Sequence, residues 1–352
     1  MKTAVALSGG TDSLASLVLL KRRNLELLPV HARFFSGQDP DNELADKLGR
    51  ICRQMGLELQ VLNLESAFEH HVVRPFVEKY LQGLTPNPCA VCNQKIKFGL
   101  LLEAALRMGA NRLATGHYAG IETGTGYASL WRGQDPDKDQ SYFLSLVPEK
   151  NLRNVVLPLK NKKKSWIQEL LRQNNIFPPA REESRELCFI PGDYREFIAN
   201  RLGDNLHLKP GPIKTRQGNT LGVHSGLWRY TLGQRRGLGI AHAHPLYVLA
   251  RVQSGNTLVV GSKEELGSQS CRAGSLNLFL PFAEWPDKLL VQTRYRQLPR
   301  PAEVIMEHSL MHIHFIGGRE TAAPGQVAAV YSSQGRVLGA GIIEEDTDFK
   351  RL

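Results

Sequence analysis

The chain has 352 residues, enough for two or three domains at about 100–200 residues each. Hydrophobic residues make up 42% and charged residues 22% of it, which excludes a disordered or fibrous protein. No apolar run reaches the ~18 residues that a membrane helix needs, and the first residues lack a secretory signal pattern. We therefore expect a cytoplasmic protein with no membrane partner.

The net charge of +10 is concentrated in the middle of the chain. Residues 151–252 hold 17 basic and 7 acidic residues, whereas the segments on either side are close to neutral. Residues 217–252 contain four arginines and no carboxylate. This pattern predicts a surface for a polyanion, since neutralised phosphates release bound counterions. The alternative is a basic face that is simply solvated.

The first half of the sequence alternates strand and helix patterns. The predicted strands are Thr3–Leu7, Leu25–Phe34, Leu57–Leu64 and Arg112–Thr115, and the predicted helices are Ser13–Lys21, Asp41–Met55 and Lys97–Met108. This alternation indicates a doubly wound α/β domain around a parallel sheet, with helices on both faces.

After about residue 195 the sequence becomes rich in glycine and in short apolar runs. Leu246–Val252 and Thr257–Gly261 flank Ser-Gly-Asn and predict a hairpin. Four later runs predict a small β-barrel or sandwich: Leu289–Thr293, Met311–Ile316, Val327–Tyr331 and Val337–Ile343. We expect an α/β domain at 1–196, a small central domain at 197–268 and a C-terminal β-barrel at 269–352.

A glycine-containing loop, Ser8–Ser13, separates the first predicted strand from the first helix. Gly9 and Gly10 allow close backbone approach, and the helix start offers N–H groups and a positive dipole end, so the loop suits a phosphate. It matches neither the Walker pattern nor the dinucleotide fingerprint. An ordinary tight turn between strand and helix is the alternative.

Five cysteines in a chain of this kind argue against a disulfide scaffold. Cys89 and Cys92 are three residues apart, so both sulfurs can point to one place, and Cys188 can join them through folding. The open alternatives are a soft-ligand pocket, a thiol–disulfide pair, three unrelated thiols, or a structural zinc site that lacks an obvious fourth ligand.

The Ser-Gly-Gly-x-Asp-Ser loop resembles the signature of the PP-loop ATP pyrophosphatases. Further motifs resemble the tRNA-specific 2-thiouridylases within that superfamily and extend almost to the C-terminus. They are Thr85–Pro88, Cys92–Phe98, Ala114–Ala119, Asp137–Leu144, Cys188–Ile190, Tyr230–Leu238, Pro245–Val248, Gly325–Gln326 and Val337–Ile343.

The resemblance implies an enzyme whose three domains clasp a tRNA anticodon stem-loop and replace the 2-oxygen of the wobble uridine with sulfur. ATP, with Mg²⁺, would convert that oxygen into an adenylate, and AMP and pyrophosphate would be released. The sulfur donor would be a persulfide relay protein or inorganic sulfide.

The resemblance also implies roles for individual residues. The catalytic positions would be Asp12, Cys89, Cys92 as nucleophile and Cys188 as the residue that carries a persulfide or pairs with Cys92. The ATP site would comprise Ala6, Leu7, Ser8, Gly9, Gly10, Thr11, Asp12, Ser13, Phe35 and Gly116. The tRNA contacts would be Asn87, His117, Lys138, Asp139, Gln140, Arg294, Tyr295 and Gln326.

One departure from the family pattern creates the Cys-x-x-Cys. The family usually has Asp after Asn-Pro, whereas this chain has Cys89 after Asn87 and Pro88. Three thiols at positions 89, 92 and 188 would suit a 4Fe–4S cluster with one open iron, as in related sulfur-inserting PP-loop enzymes. We expect this cluster variant ahead of a route through persulfide alone.

Two other functions remain open on the sequence. An amide-forming PP-loop ligase acting on a small metabolite would account for the loop, but not for the basic middle segment or the three cysteines. A tRNA-binding protein with a decayed active site would account for the charge, but not for an intact loop, Asp12 and three cysteines.

Overall fold

The computed structural model describes residues 1–35, 42–124, 127–179, 187–203 and 209–345. Within these ranges the chain forms a five-stranded parallel sheet, a two-stranded hairpin, a four-stranded central sheet and a closed six-stranded barrel. None of the described helices is long and apolar enough to cross a membrane. The predicted fold class, an α/β domain followed by a small central domain and a β-barrel, is confirmed.

Seven strands belong to the N-terminal part of the chain. They are β1 (Lys2–Ala6), β2 (Glu26–Arg33), β3 (Gln60–Asn63), β4 (Arg112–Ala114), β5 (Ala119–Thr123), β6 (Ala128–Arg132) and β7 (Val155–Val156). The parallel sheet has the order β3-β2-β1-β4-β7, so the chain winds outward in both directions from β1. In such a sheet, ligands bind beyond the carboxyl end of the strand where the order reverses, and here that strand is β1.

The helices cover both faces of this sheet. They are α1 (Thr11–Lys21), α2 (Glu43–Gln54), α3 (Glu65–Phe68), α4 (Arg74–Leu81), α5 (Pro88–Val91), α6 (Leu102–Arg107), α7 (Ser141–Leu144), α8 (Glu149–Leu152), α9 (Lys164–Gln173) and α10 (Tyr194–Leu202). Two π-helical segments, Glu69–Val73 and Cys92–Leu101, join α3 to α4 and α5 to α6. The helix expected at Lys97–Met108 therefore starts earlier and is π-helical in its first half, and Asp41 of another expected helix lies outside the described residues.

Alternation along β1 separates two hydrophobic cores. Ala4 belongs to the core on one face of the sheet, whereas Val5 belongs to the core on the other, with Leu14 and Leu17 of α1. Successive side chains of a strand point to opposite faces, so a strand of apolar residues serves both layers. Both faces of the sheet are thereby buried, so a ligand binds at the ends of its strands.

The central domain contains β8 (Gly211–Thr215), β9 (Thr220–His224), β10 (Tyr247–Val252) and β11 (Thr257–Gly261) in the order β10-β11-β8-β9. The antiparallel hairpin of β10 and β11 is confirmed, with Tyr247 opposite Gly261. Asn256 sits in its turn with a φ of 44°, a backbone conformation that asparagine tolerates better than most residues.

The barrel comprises β12 (Ser270–Leu278), β13 (Leu289–Gln292), β14 (Arg300–Glu307), β15 (Leu310–Phe315), β16 (Val327–Ser332) and β17 (Val337–Ile343). It closes in the order β12-β15-β14-β13-β16-β17. Sequence patterning predicted four of the six strands. It missed β12 and β14, because both carry polar residues on their outer face and are not continuous apolar runs.

The barrel packs against the N-terminal domain through apolar side chains. One hydrophobic core includes Leu113 and Tyr142 from the N-terminal domain with Val327 and Tyr331 from β16. A backbone hydrogen bond from Arg132 to the carbonyl of Gly335 adds to this contact, at 3.0 Å. The two domains therefore share a core, which holds the barrel beside the sheet.

Candidate active site

The Ser8–Ser13 loop closes on itself at the carboxyl end of β1. The Ser13 hydroxyl donates to the carbonyl of Gly10 at 2.9 Å and accepts from the backbone N–H of Ser8 at 3.2 Å. Gly9 has a φ of 83°, which favours glycine over any residue with a side chain. Because the amides at the N-terminus of α1 lack helical acceptors, the loop presents donors to an anion.

Asp12 is held by two residues from distant parts of the chain. The Tyr118 hydroxyl and the Lys164 ammonium group both donate to Asp12 Oδ1, at 2.9 Å and 2.8 Å. Lys164 belongs to the first turn of α9, which packs along α1. Sequence reasoning did not find Lys164, because its only local signal was a run of three lysines.

Gly116 lies directly beneath the start of α1. A side chain there would place its Cβ 2.7 Å from the backbone carbon of Asp12 and 2.9 Å from the nitrogen of Ser13. The structure thus brings Gly116 to the loop, as expected. Phe35, at the end of β2, packs its ring against Phe68 with centroids 6.1 Å apart. The nucleotide contacts of these residues stay predictions.

Cys89 and Cys92 lie on a helix whose start is fixed by two local signals. Pro88 occupies the first helical position, where its missing N–H costs nothing. Asn87 caps the helix by accepting a hydrogen bond from the backbone N–H of Ala90, at 3.0 Å. Cys92 then begins the π-helical segment, which brings residues five apart close together. Lys97, five residues further on, accordingly lies on the side of Cys92.

The three predicted thiols interact electrostatically. Burial raises the pKa of Cys89 to about 11 and of Cys92 to about 12. Lys97 lowers both values in part, and Cys188 raises both further. Cys188 is itself exposed, yet neighbouring atoms desolvate its thiol and raise its pKa, against which Lys97 acts. The structure therefore brings positions 89, 92 and 188 to one region, with Lys97 as the cation that acts on all three.

These thiols do not form a ready-made metal site. Within the described ranges, no group of three His, Cys, Asp or Glu side chains is arranged so that it could hold a metal ion. Cys89, Cys92 and Cys188 are all free thiols. The donor set has the soft chemistry that iron–sulfur clusters require, but its present spacing is that of interacting neighbours and not of ligands.

His117 connects the cysteine region to the sheet. Lys97 Nζ lies 3.5 Å from His117 Nε2, and His117 Nδ1 lies 2.8 Å from Thr115 Oγ1. An ammonium group can only donate, so Nε2 accepts and Nδ1 carries the proton. Burial, and secondarily Lys97, holds the pKa of His117 well below its usual range, so the ring is neutral.

The predicted tRNA residues Lys138, Asp139 and Gln140 lie where β6 leads into α7. Asp139 is 7% exposed, and its carboxylate accepts hydrogen bonds from Arg132 Nε and the Gly133 backbone, each at 2.8 Å. Gln140 Oε1 accepts from the backbone N–H of Tyr118 at 3.0 Å. Both side chains are engaged inside the protein, and Lys138 is half-buried beside them.

The remaining predicted tRNA residues come from the barrel. Arg294 is exposed, and Tyr295 packs on Phe143 with ring centroids 4.3 Å apart. Gln326 reaches the N-terminal domain, where Asn87 Nδ2 lies 3.4 Å from its Oε1. The fold therefore gathers residues separated by more than 200 positions around the start of the cysteine helix, and their contacts with tRNA stay predictions.

The chain thus combines an α/β domain whose Ser8–Ser13 loop presents backbone donors, a helix that carries two cysteines, and a barrel that contacts the start of this helix. Family models match the three parts in order: "tRNA methyl transferase HUP domain" over residues 1–192, "tRNA methyl transferase PRC-barrel domain" over 195–262 and "Aminomethyltransferase beta-barrel domain" over 268–343.

Curated relatives are similar over nearly the whole chain. The protein is 47% identical to the tRNA-specific 2-thiouridylase MnmA of Nitratidesulfovibrio vulgaris (strain DP4), with 97% of this chain and 99% of that one covered. It is 37% identical to the MnmA of Geobacter metallireducens, with 97% and 96% covered. The chain belongs to the tRNA-specific 2-thiouridylase family.

Among solved structures, the U34-tRNA thiolase NcsA from Methanococcus maripaludis with its 4Fe–4S cluster shows a slight likeness. It is 17% identical, has a TM-score of 0.35, and the match covers 58% of this chain and 66% of that one.

Proposed function

We propose that this protein is an ATP-dependent tRNA-uridine 2-sulfurtransferase that thiolates the wobble uridine of tRNA. Membership of the 2-thiouridylase family supports the activity. The observation that carries the proposal is the meeting of two chemistries in one region. Tyr118 bonds Asp12 of the loop, and its neighbour His117 contacts Lys97, the cation that acts on all three thiols.

The first proposed step activates the uridine. The loop amides of Gly10 to Ser13 would hold the β- and γ-phosphates, and Mg²⁺ would neutralise part of their charge, with Asp12 as the nearest carboxylate of the loop. The 2-oxygen of the uridine attacks the α-phosphorus, an oxygen–phosphorus bond forms, and pyrophosphate leaves. The product is an adenylated uridine, in which a poor leaving group has become a good one.

The second proposed step exchanges oxygen for sulfur. Hydrosulfide held at the cysteines attacks carbon 2, the carbon–oxygen bond breaks as AMP departs with the oxygen, and the sulfur loses its proton. If the sulfur is instead the outer atom of a Cys188 persulfide, the Cys92 thiol then attacks the inner sulfur, the sulfur–sulfur bond breaks to release the thiolated uridine, and the resulting Cys92–Cys188 disulfide is reduced by an external thiol. The thiolate form is the reactive one, yet burial keeps these thiols protonated at neutral pH. Lys97 offsets only part of the effect of burial, so further positive charge beyond Lys97 is needed.

We further propose that the three cysteines hold a 4Fe–4S cluster. Burial raises the pKa of Cys89 and Cys92, and coordination to iron would deprotonate both thiols in spite of it. When bound, such a cluster would supply an open iron that accepts hydrosulfide. Because the described thiols are not spaced as ligands, Cys188 must approach Cys89 and Cys92 for the cluster to form. Persulfide on Cys188 is the competing route.

The tRNA anticodon stem-loop is the proposed partner. Its phosphates would lie on the basic segment 151–252, and the everted uridine would enter between His117 and the cysteine helix. The proposed domain boundaries at 196 and 268 divide this segment between the end of the N-terminal domain and most of the central domain. Arg294, Tyr295 and Lys138 would contact the RNA at the rim.

A reconstituted reaction tests the proposal. Protein purified without oxygen is incubated with unmodified tRNA, ATP, Mg²⁺ and sulfide, and nucleosides are analysed by mass spectrometry. We expect 2-thiouridine at the wobble position with one AMP released per sulfur, and about four irons per chain. ATP use stimulated by an amino acid and indifferent to tRNA would favour an amide-forming ligase. Full thiolation activity in iron-free protein would reject the proposed cluster and leave the proposed thiolation standing.

A further inference from the structure

The three residues before the cysteine helix, Thr85–Asn87, form a loop that is buried between all three domains. We call this loop the clamp segment. Thr85 is 9% exposed and Asn87 is 7% exposed. Connecting loops usually run over the surface, because a buried loop must find partners for its backbone groups. The partners of the clamp segment come from the other two domains.

The barrel supplies the partners for the clamp segment's backbone. Gln326 Nε2 donates to the carbonyls of Thr85 and Pro86, at 3.0 Å and 3.2 Å. The backbone N–H of Thr85 donates to the carbonyl of Pro324 at 2.8 Å. A Cβ on Gly325 would lie 3.1 Å from Thr85 backbone atoms, so these two segments of the chain are in close contact.

The central domain supplies the partner for the Thr85 side chain. Arg251, on β10, donates through Nη2 to Thr85 Oγ1 at 2.7 Å and through Nη1 to the carbonyl of Tyr230 at 2.8 Å. One guanidinium thus ties the clamp segment to two separate parts of the central domain. A charged donor gives a stronger hydrogen bond than a neutral one.

The clamp segment in turn sets the start of the cysteine helix. Asn87 Oδ1 accepts from the Ala90 N–H at 3.0 Å, while Asn87 Nδ2 lies 3.4 Å from Gln326 Oε1. The same side chain therefore caps α5 and bonds the barrel. Cys89 is the second residue of α5 and Cys92 follows its last, so a shift of the clamp segment moves both sulfurs.

We propose that the clamp segment couples the central and barrel domains to the cysteine site, with Arg251 and Gln326 as positioning residues. The two domains that contact it are also those proposed to hold tRNA, so bound RNA fixes the position of Cys89 and Cys92 through these contacts. The inference rests on the proposed function, in which those cysteines supply sulfur. Neither Arg251 nor Thr85 touches the reacting atoms.

Three variants test this coupling. Thr85→Val removes the hydroxyl at constant shape, Arg251→Met removes the guanidinium, and the double variant removes both. We expect each single variant to lower the rate of thiolation at saturating tRNA and ATP about tenfold. Thr85→Val removes no charge, so its tRNA affinity should be unchanged within about twofold, whereas Arg251→Met also removes a cation from the basic segment 151–252 and is compared by its rate at saturating tRNA. The double variant should be no slower than the slower single variant, because both remove the same bond.

Thr85→Ser is the matched control, since it keeps the hydroxyl, and it should retain most of the wild-type rate of thiolation. A Thr85→Val protein as fast as wild type, or losses that multiply in the double variant, would overturn the coupling. A loss of tRNA affinity with an unchanged rate at saturation in Thr85→Val would also overturn it. Failure of the wild-type protein to thiolate tRNA at all would instead contradict the proposed function, so the two failures are distinguishable.

Discussion

The phosphate loop and the cysteine site are built in opposite ways. Ser8–Ser13 is contiguous, and Ser8, Gly10 and Ser13 bond one another within it. The cysteine site draws Cys92, Lys97, His117 and Cys188 from distant positions, and its helix start is held by residues 251 and 326. The loop depends on its own backbone contacts and on Gly116, Tyr118 and Lys164 of the same domain, whereas the cysteine site depends on the docking of every domain that contributes to it.

Removal of one thiol should give the largest effect, a loss of thiolation with little change in adenylation. We expect Cys188→Ala to lower thiolation at least ~10³-fold, because a sulfur-carrying group acts in the chemical step itself. Adenylation, measured as tRNA-dependent pyrophosphate release, and tRNA affinity should be nearly unchanged. Cys271→Ala, a half-buried barrel cysteine, is the control. A Cys188→Ala protein that thiolates at the wild-type rate would contradict the site.

A side chain at position 116 should damage the loop and leave the thiols alone. The Cβ of Gly116→Ala would lie within 2.7–2.9 Å of Asp12 and Ser13 backbone atoms, so the start of α1 must move. We expect a loss of about 1–3 kcal/mol in the free energy of unfolding and ATP binding weaker by about tenfold or more. Calorimetry and ATP titration measure the two effects.

Gly49→Ala is the matched control, because a Cβ there meets only the Arg53 side chain, at 3.5 Å, within α2. It should stabilise the protein by about 0.5–1 kcal/mol through helix propensity. Equal stability losses in the two variants would show that Gly116 is not under the constraint described for it.

Removal of the cation at the thiols should give the smallest effect, and one that depends on pH. Lys97 lowers the pKa of Cys89, Cys92 and Cys188, so Lys97→Gln raises all three values and reduces the thiolate fraction at neutral pH. We expect cysteine alkylation in iron-free protein to slow about tenfold at about pH 7 and to recover towards higher pH, as the thiols ionise.

Lys95→Gln supplies the comparison for this experiment. Lys95 is exposed on the same π-helical segment but acts on His71 and on none of the three thiols. Its alkylation profile should match that of wild type. A Lys95→Gln profile shifted as far as that of Lys97→Gln would mean that general positive charge, and not the position of Lys97, governs the thiols.

Local patterns carried much of the prediction. The strand pattern, the two glycines and the helix pattern of residues 3–21 led to the prediction of a loop suited to phosphate. Alternation of strand and helix patterns led to the prediction of the parallel sheet. The Asn-Pro pair before Cys89 carries a capping signal that acts over four residues, but this signal was not used and the helix was expected to begin only at Lys97. The charge excess at 151–252 and the hairpin at 246–261 were likewise readable from neighbouring residues.

Other features came only from tertiary packing. Strands β12 and β14 were not predicted, because each mixes polar with apolar residues. The ion pair of Lys164 with Asp12 joins residues 152 positions apart. The π-helical geometry that turns Lys97 towards Cys92 leaves no composition signal. Asp139, expected at the RNA from its motif, has its carboxylate bonded to Arg132 and Gly133.

The sequence by itself predicted a loop suited to a phosphate and singled out the cysteines proposed for sulfur chemistry, because both predictions depend on residue type and short spacing. Tertiary structure decided which cation faces the thiols and which domains hold their helix. The cation is placed by the π-helical segment that carries both Cys92 and Lys97. The start of the helix depends on the docking of Arg251 and Gln326 against Thr85, and docking follows from packing of whole domains, which no local stretch of sequence specifies.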